Sequence, residues 1–141
     1  MIETWFFGFY APSFRNLEGR IDPRLWFGHC EAWGFNADRT WVFIDPQAKG
    51  MIVRLEHRHD DVMDMLQARS ELCAVILQIE GGDPDMIIPS HGFMTCASVC
   101  GSLVGLRALL PGTLKRKLLR NGAKVIHETE GRCKSEGGAS A

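Results

Sequence analysis

Several features that would assign this chain of 141 residues to a class directly are absent from it. No apolar run approaches the roughly 20 residues that a membrane-spanning helix needs. The N-terminus has neither the basic start nor the small-residue cleavage site of a signal peptide, so we expect the chain to stay in the cytoplasm where it is made. Because 16 Lys and Arg balance 17 Asp and Glu, the charge excludes a dedicated nucleic-acid binder, whose affinity would depend on many phosphate contacts.

The cysteines also lack a familiar pattern. Their number is odd and they include no CxxC pair, which excludes a disulfide framework and a zinc finger. We therefore predict free thiols in a reducing compartment, with no cofactor and no bound metal. The five residues are Cys30, Cys73, Cys96, Cys100 and Cys133.

The composition that is present is that of a globular protein. Apolar residues make up 45% and charged residues 23% of the chain, enough for one domain with its own core. We predict a single domain over residues 1–132. Residues 133–141 are rich in Gly, Ser and Ala, which predicts a flexible tail.

Hydrophobic patterning predicts an α+β fold with an antiparallel sheet and a cysteine-bearing helix packed against it. Turn residues between positions 11 and 24 predict a loop after the first strand. Strands are predicted at Thr4–Tyr10, Leu25–Phe35, Thr40–Asp45, Met51–His57, Cys73–Ile79, Met86–Ile88 and Ala123–His127. Helices are predicted from about Asp60, over Thr95–Leu106, and over Leu114–Arg120 with Thr113 as its N-cap.

One predicted hairpin brings a histidine and a carboxylate together. If Gly34 pairs with Thr40 across the turn, His29 lies directly opposite Asp45 on one face of the sheet. A register shift of two residues would keep both on that face, whereas a shift of one would separate them. The carboxylate could then accept the imidazole N–H and fix its tautomer.

A cysteine follows a predicted helix cap. Thr95 is a plausible N-cap, which places Cys96 in the first turn, where partial positive charge lowers a thiol pKa. The N–H groups of that turn could also stabilise an oxyanion. A thiolate beside an imidazolium is the nucleophile of cysteine hydrolases.

Each of these residues also has a plainer interpretation. His29 could be a hydrogen-bonded structural residue, Cys96 a core residue and Asp45 a turn former. Cys100 is predicted to be a core residue. Cys30 points to the face opposite His29, so Cys30 is a poor partner for His29.

Two further surfaces have competing interpretations. A cluster of histidines and acids could ligate a metal, but a solvated connection with helix-capping acids explains it as well. Its members are His57, His59, Asp60 and Asp61. Between positions 86 and 126 six basic residues occur with no acid, which suits either an anionic partner or a solvated helix face. They are Arg107, Lys115, Arg116, Lys117, Arg120 and Lys124.

The order of these segments resembles the circularly permuted papain-like hydrolases, the NlpC/P60-related and lecithin–retinol acyltransferase-like families. The matching segments are Trp26-Phe27-Gly28-His29, Trp41-Val42-Phe43-Ile44-Asp45-Pro46 and Phe93-Met94-Thr95-Cys96. The resemblance covers roughly residues 25 to 127 and extends to small phage-encoded members found among tail genes.

The resemblance implies a papain-like domain in which Cys96 is the nucleophile, His29 the general base and Asp45 the residue that orients His29. Ser90 or His91 would be candidates for a side-chain oxyanion donor. The implied activity is amide or peptide hydrolysis, with a peptidoglycan-type substrate, phage tail proteins as partners and the virion as a location. The alternatives are a non-catalytic tail or baseplate component with the same fold, and an acyltransferase acting on lipid, which the lack of a hydrophobic anchor disfavours.

Overall fold

The computed structural model describes residues 2–11, 28–47, 50–81 and 94–129. Within these ranges six strands and three helices form an α+β unit. The strands are β1 (Thr4–Tyr10), β2 (His29–Phe35), β3 (Trp41–Gln47), β4 (Gly50–Glu56), β5 (Val75–Glu80) and β6 (Lys124–Glu128). The helices are α1 (His59–Leu72), α2 (Cys96–Ser102) and α3 (Pro111–Arg120).

The strands form one antiparallel sheet in the order β4-β3-β2-β1-β5-β6. The predicted α+β class and antiparallel sheet are confirmed. β1 has the predicted bounds and lies at the centre, paired with β2 on one side and β5 on the other. Its alternating side chains therefore supply apolar contacts to both faces of the sheet.

The two faces of the sheet are covered by different helices. On one face, Trp5, Phe7 and Phe9 of β1 share a core with residues of α2 and α3, so the cysteine-bearing helix packs on the sheet as predicted. On the other face, Trp33 and Phe43 share a second core with residues of α1. A helix on each side of the sheet buries both faces and leaves β4 as an edge strand with its residues largely exposed.

The β2–β3 register differs from the predicted one by two residues. Gly34 pairs with Val42, not Thr40, and the paired stretch ends at Ala32 and Ile44. His29 is therefore not directly opposite Asp45, which corrects the predicted pairing, but the even shift keeps both residues on one face. β3 also continues through Pro46 to pair with β4, although a stop at Pro46 was expected.

The later helices begin and end differently from the predictions. α2 stops at Ser102, not Leu106, because the chain turns and Leu106 donates its N–H back to the Gly101 carbonyl at 2.9 Å. A side chain at Gly101 would place its Cβ 2.6 Å from the carbonyl oxygen of Leu106, so only glycine allows the chain to turn back this closely. α3 begins at Pro111 with Leu110 as N-cap, so the prediction of Thr113 is wrong; proline suits the first helical position.

Some predictions lie outside the described residues. They are the loop after Ala11, the start of the second strand at Leu25, the Met86–Ile88 strand, the Ser90 and His91 donors and the 133–141 tail. In the part of the chain that the structure describes, no helix is long and apolar enough to span a membrane.

Candidate active site

His29 is the first residue of β2 and lies just beyond the last pair that joins β2 to β3. The Nε2 atom of its ring is 2.7 Å from Oδ1 of Asp45 on β3, and the pair is part-buried. The other Asp45 oxygen, Oδ2, accepts a hydrogen bond from the Gln47 amide at 2.8 Å. The side-chain contact between histidine and carboxylate that the sequence predicted is therefore present, and it leaves Nδ1 for a second partner.

A tyrosine lies against the other side of the imidazole. Tyr10 is the β1 partner of His29, and the ring centroids are 5.7 Å apart. The Tyr10 hydroxyl donates to Oε1 of Glu31, which is buried on the same face. Burial and this carboxylate raise the Tyr10 pKa far above its usual range, so the hydroxyl remains a donor. Tyr10 thus limits the positions that the imidazole can adopt.

Cys96 is the first residue of α2, and the cap that precedes it is the predicted one. Thr95 accepts the Ser98 N–H with its side chain at 3.0 Å, while the Ser98 hydroxyl accepts the Thr95 N–H at 2.8 Å. This reciprocal pair is a capping box, which fixes the direction in which the chain enters the helix. The position of the Cys96 thiol is set by that entry.

Replacing Thr95 by Ala should lower the free energy of unfolding by about 1 kcal/mol, because the Ser98 N–H loses its acceptor. Urea denaturation followed by circular dichroism measures this loss. Thr113→Ala is the matched control, since Thr113 lies inside α3 and caps nothing, and its effect should stay within about 0.5 kcal/mol. Equal losses in the two variants would contradict the capping role of Thr95.

His29 and Cys96 line one open cavity of about 730 Å³. One wall consists of the ends of β3 and β4, and the other of the start of α2. The described lining residues are His29, Pro46, Gln47, Gly50, Met51, Met94, Thr95, Cys96 and Val99. A thiol and an imidazole therefore face a common space large enough for a peptide segment.

The imidazole holds its proton more tightly than a free histidine. Its pKa rises to about 9, first because of the hydrogen bond with the Cys96 side chain and then because of Asp45, while burial acts in the opposite direction. At neutral pH the site therefore contains an imidazolium beside the Asp45 carboxylate. The ring becomes a neutral base only as the pH approaches 9.

The thiol pKa is shifted in the direction opposite to the prediction. The pKa of Cys96 rises to about 12, because the Cys30 thiol and burial favour the neutral form. His29 lowers this pKa, but not enough to reverse the shift. The net shift is therefore opposite to the predicted lowering, because Cys30 and burial together outweigh the effect of His29.

Cys30 is a neighbour of Cys96 that the sequence did not predict. As predicted, strand alternation points it away from the His29 face, into the core beneath α2. There its carbonyl accepts a hydrogen bond from Sγ of Cys100 at 3.9 Å, and its thiol raises the pKa of Cys96. The i, i+4 spacing of Cys96 and Cys100 places both on one helix face, but nothing in the spacing showed that Cys30 lies across from that face.

The histidine and aspartate residues that were considered as metal ligands form the start of a helix. Within the described ranges no three His, Cys, Asp or Glu residues are arranged to hold a metal. His59 begins α1, Asp60 and Asp61 lie in its first turn, and Asp61 pairs with Arg58 at 3.5 Å. These acids therefore occupy the end of the helix where its dipole favours negative charge.

Comparisons of the chain with protein-family models, with curated proteins and with solved structures found no significant match. Support for the function of the site therefore comes from its geometry and from the resemblance of its sequence segments to permuted papain-like hydrolases.

Proposed function

We propose that this chain is a cysteine hydrolase that cleaves an amide bond, with Cys96 as nucleophile, His29 as general base and Asp45 as the residue that orients His29. The observation that carries the proposal is the 2.7 Å bond from His29 Nε2 to Asp45, on a ring that lines the same cavity as the Cys96 thiol. A carboxylate that holds one ring nitrogen turns the other toward the thiol, which is the arrangement that nucleophilic catalysis requires.

In this mechanism the Cys96 thiol gives its proton to His29 as the sulfur attacks the substrate carbonyl. The C–N bond then breaks, and His29 returns the proton to the leaving amine. Water, deprotonated by His29, hydrolyses the resulting thioester and regenerates the thiol. The N–H groups at the start of α2, apart from that of Ser98, which Thr95 accepts, are the donors proposed for the oxyanion.

The proposed substrate is a peptide, with bacterial cell-wall peptide as the first candidate. That choice, and a place in a phage tail, rests on the resemblance of the His29, Asp45 and Cys96 segments to permuted papain-like hydrolases. The cavity between β4 and α2 is open, and its volume of about 730 Å³ is consistent with a peptide substrate.

A second candidate function is a non-catalytic structural protein with the same fold. The observation that favours it is the high pKa of Cys96, because a thiol that stays protonated is a poor nucleophile. The two candidates differ in whether His29 controls the reactivity of Cys96.

That difference is tested by the rate at which iodoacetamide alkylates Cys96 between pH 6 and pH 10, measured by mass spectrometry. Because His29 can accept the thiol proton only when neutral, the rate should rise around pH 9. His29→Ala removes the group that lowers the Cys96 pKa. The alkylation rate at pH 9 should therefore fall about tenfold for each unit by which the Cys96 pKa rises. Asp45→Asn removes a charge that raises the His29 pKa, so the increase in alkylation rate should occur at a lower pH than in the wild type.

His57→Ala and Asp38→Asn are the matched controls, because both residues are exposed and outside the cavity. They should leave the alkylation profile unchanged. If wild type and His29→Ala gave the same profile, the thiol would not be under the control of the imidazole, and the structural role would be favoured.

A further inference from the structure

The helix α3 presents a basic surface to solvent. Its buried residues are Pro111, Leu114 and Leu118. Arg116 and Arg120 are one turn apart on the opposite side of the helix, and both are exposed. Lys117 lies at the edge of this side, where its Nζ donates to the Arg107 carbonyl. Because the next strand, β6, begins with the exposed Lys124, the cations continue from α3 onto the edge of the sheet.

No carboxylate offsets this charge within the segment. Residues 94–127 contain six of the 16 Lys and Arg of the chain and none of its 17 Asp and Glu. Among the residues that the structure describes, the ion pairs involve other cations, and Arg116, Arg120 and Lys124 have no acidic partner. The helix on the opposite face, α1, contains both acidic and basic residues, as solvated helices usually do. The segment that contains α3 therefore carries positive charge only.

Exposed apolar side chains lie among these cations. Leu109 and Leu110 directly precede the first residue of α3 and are each 57% exposed, and Leu119, in the last turn of the helix, is also exposed. Exposed apolar groups that lie together mark a site of contact with a protein or a membrane. We define the α3 surface as the three leucines together with the three cations Arg116, Arg120 and Lys124.

We propose that the α3 surface docks the protein onto an anionic lipid membrane. Its cations match the negative headgroups of such a bilayer, and its leucines match the boundary between the headgroups and the acyl chains. A soluble polyanion such as a nucleic acid would attract the cations equally but would leave the leucines in water. Docking on a membrane goes beyond the proposed hydrolysis and does not depend on it.

The positions of the side chains fit a helix that lies on the bilayer. Arg116 and Arg120 point away from the buried side of α3, so this side of the helix can face the headgroups along its length. Leu110 lies at one end of the helix and Leu119 at the other, so each end can place an apolar side chain in the interface. Salt screens the attraction between cations and headgroups, whereas burial of the leucines does not depend on charge. The two contributions can therefore be measured separately.

Co-sedimentation of the full chain with lipid vesicles tests the proposal. One set of vesicles contains about one-third phosphatidylserine in phosphatidylcholine, and the other contains phosphatidylcholine alone. At about 0.1 M salt we expect binding to the anionic vesicles to be at least about tenfold stronger than to the neutral ones, and to weaken as the salt is raised to about 0.5 M. Equal binding to the two kinds of vesicle, or binding to neither, would overturn the proposal.

Two double substitutions separate the charge from the apolar contact. Arg116→Glu/Arg120→Glu should weaken binding to the anionic vesicles at least about 30-fold, because each cation near the bilayer strengthens binding roughly fivefold. Leu109→Ser/Leu110→Ser should weaken it about tenfold but leave any binding to heparin, a soluble polyanion, unchanged. All four side chains are exposed, so both variants should keep the circular dichroism spectrum of the wild type. If the leucine variant bound vesicles as the wild type does, the surface would be a general polyanion site and the membrane proposal would be wrong.

Arg54→Glu/Arg58→Glu is the matched control. It changes the net charge by the same amount at two exposed arginines, one on β4, the sheet edge opposite to β6, and one just before α1. Vesicle binding should stay within about twofold of that of the wild type. An equal loss in this control and in Arg116→Glu/Arg120→Glu would show that only the net charge of the protein matters, which contradicts docking through the α3 surface.

Discussion

Cys96→Ala should reduce amide hydrolysis by at least about 10³-fold, because loss of the nucleophile leaves only the contributions of binding and of the oxyanion donors. The measurement is the release of free amine from cell-wall peptides at pH 9, where His29 is becoming neutral. Cys96→Ser serves as a second variant that keeps the size of the side chain. It should be similarly inactive, because a hydroxyl gives up its proton far less readily than a thiol.

The fold should survive both substitutions. Cys96 is partly exposed at the edge of the core, so loss of its sulfur leaves little cavity. Cys73→Ala is the matched control: it removes a thiol from the α1 side of the sheet and should retain activity. Hydrolysis by Cys96→Ala at the wild-type rate would assign the reaction to another group and refute the proposed mechanism.

Local patterns predicted the parts of the site that depend on one element or on strand parity. The Thr95 cap followed from the residue types around the start of α2. The predicted contact between His29 and Asp45 is present although the predicted β2–β3 register was wrong by two residues, because an even shift keeps each residue on the same face of its strand. The class of the fold followed in the same way, from the alternation and spacing of apolar residues.

The rest depends on contacts between distant segments, which spacing does not encode. The largest influence on the pKa of Cys96 is Cys30, which is 66 positions earlier in the chain. Likewise, the hydrogen bond between Tyr10 and Glu31 could be predicted only from the β1–β2 register. The sequence did place Cys30 on the correct face, but which helix covers that face is decided by packing across the whole sheet.

The Glu31 side chain and Arg69 form an ion pair under α1. Nε of Arg69 is 3.0 Å from Oε1 of Glu31, and the two side chains are 17% and 6% exposed. The guanidinium lies 4.5 Å from the Phe43 ring centroid and 5.5 Å from that of Trp33. Its Nη1 donates to the Met65 carbonyl at 3.0 Å. The pair thus joins α1 to β2 on the face of the sheet that carries Tyr10 and His29.

Glu31→Ala should lower the free energy of unfolding by about 3–5 kcal/mol, because it leaves the Arg69 charge buried among aromatic rings without a partner. This is a large part of the roughly 5–15 kcal/mol that stabilises a typical domain. Urea denaturation at pH 7 measures the loss. Glu80→Ala, which removes an exposed carboxylate at the end of β5, is the matched control and should change stability by less than about 0.5 kcal/mol.

The double variant Glu31→Leu/Arg69→Met separates the cost of an unpaired charge from the value of the pair. Burial is the largest influence on Glu31 and raises its pKa, even though Tyr10 and Arg69 act in the opposite direction. Desolvation therefore outweighs the attraction, and replacing both charges by apolar groups should recover most of the stability that Glu31→Ala loses. A double variant as unstable as Glu31→Ala would show that the ion pair itself holds α1 on the sheet, and that the aromatic contacts alone are not sufficient.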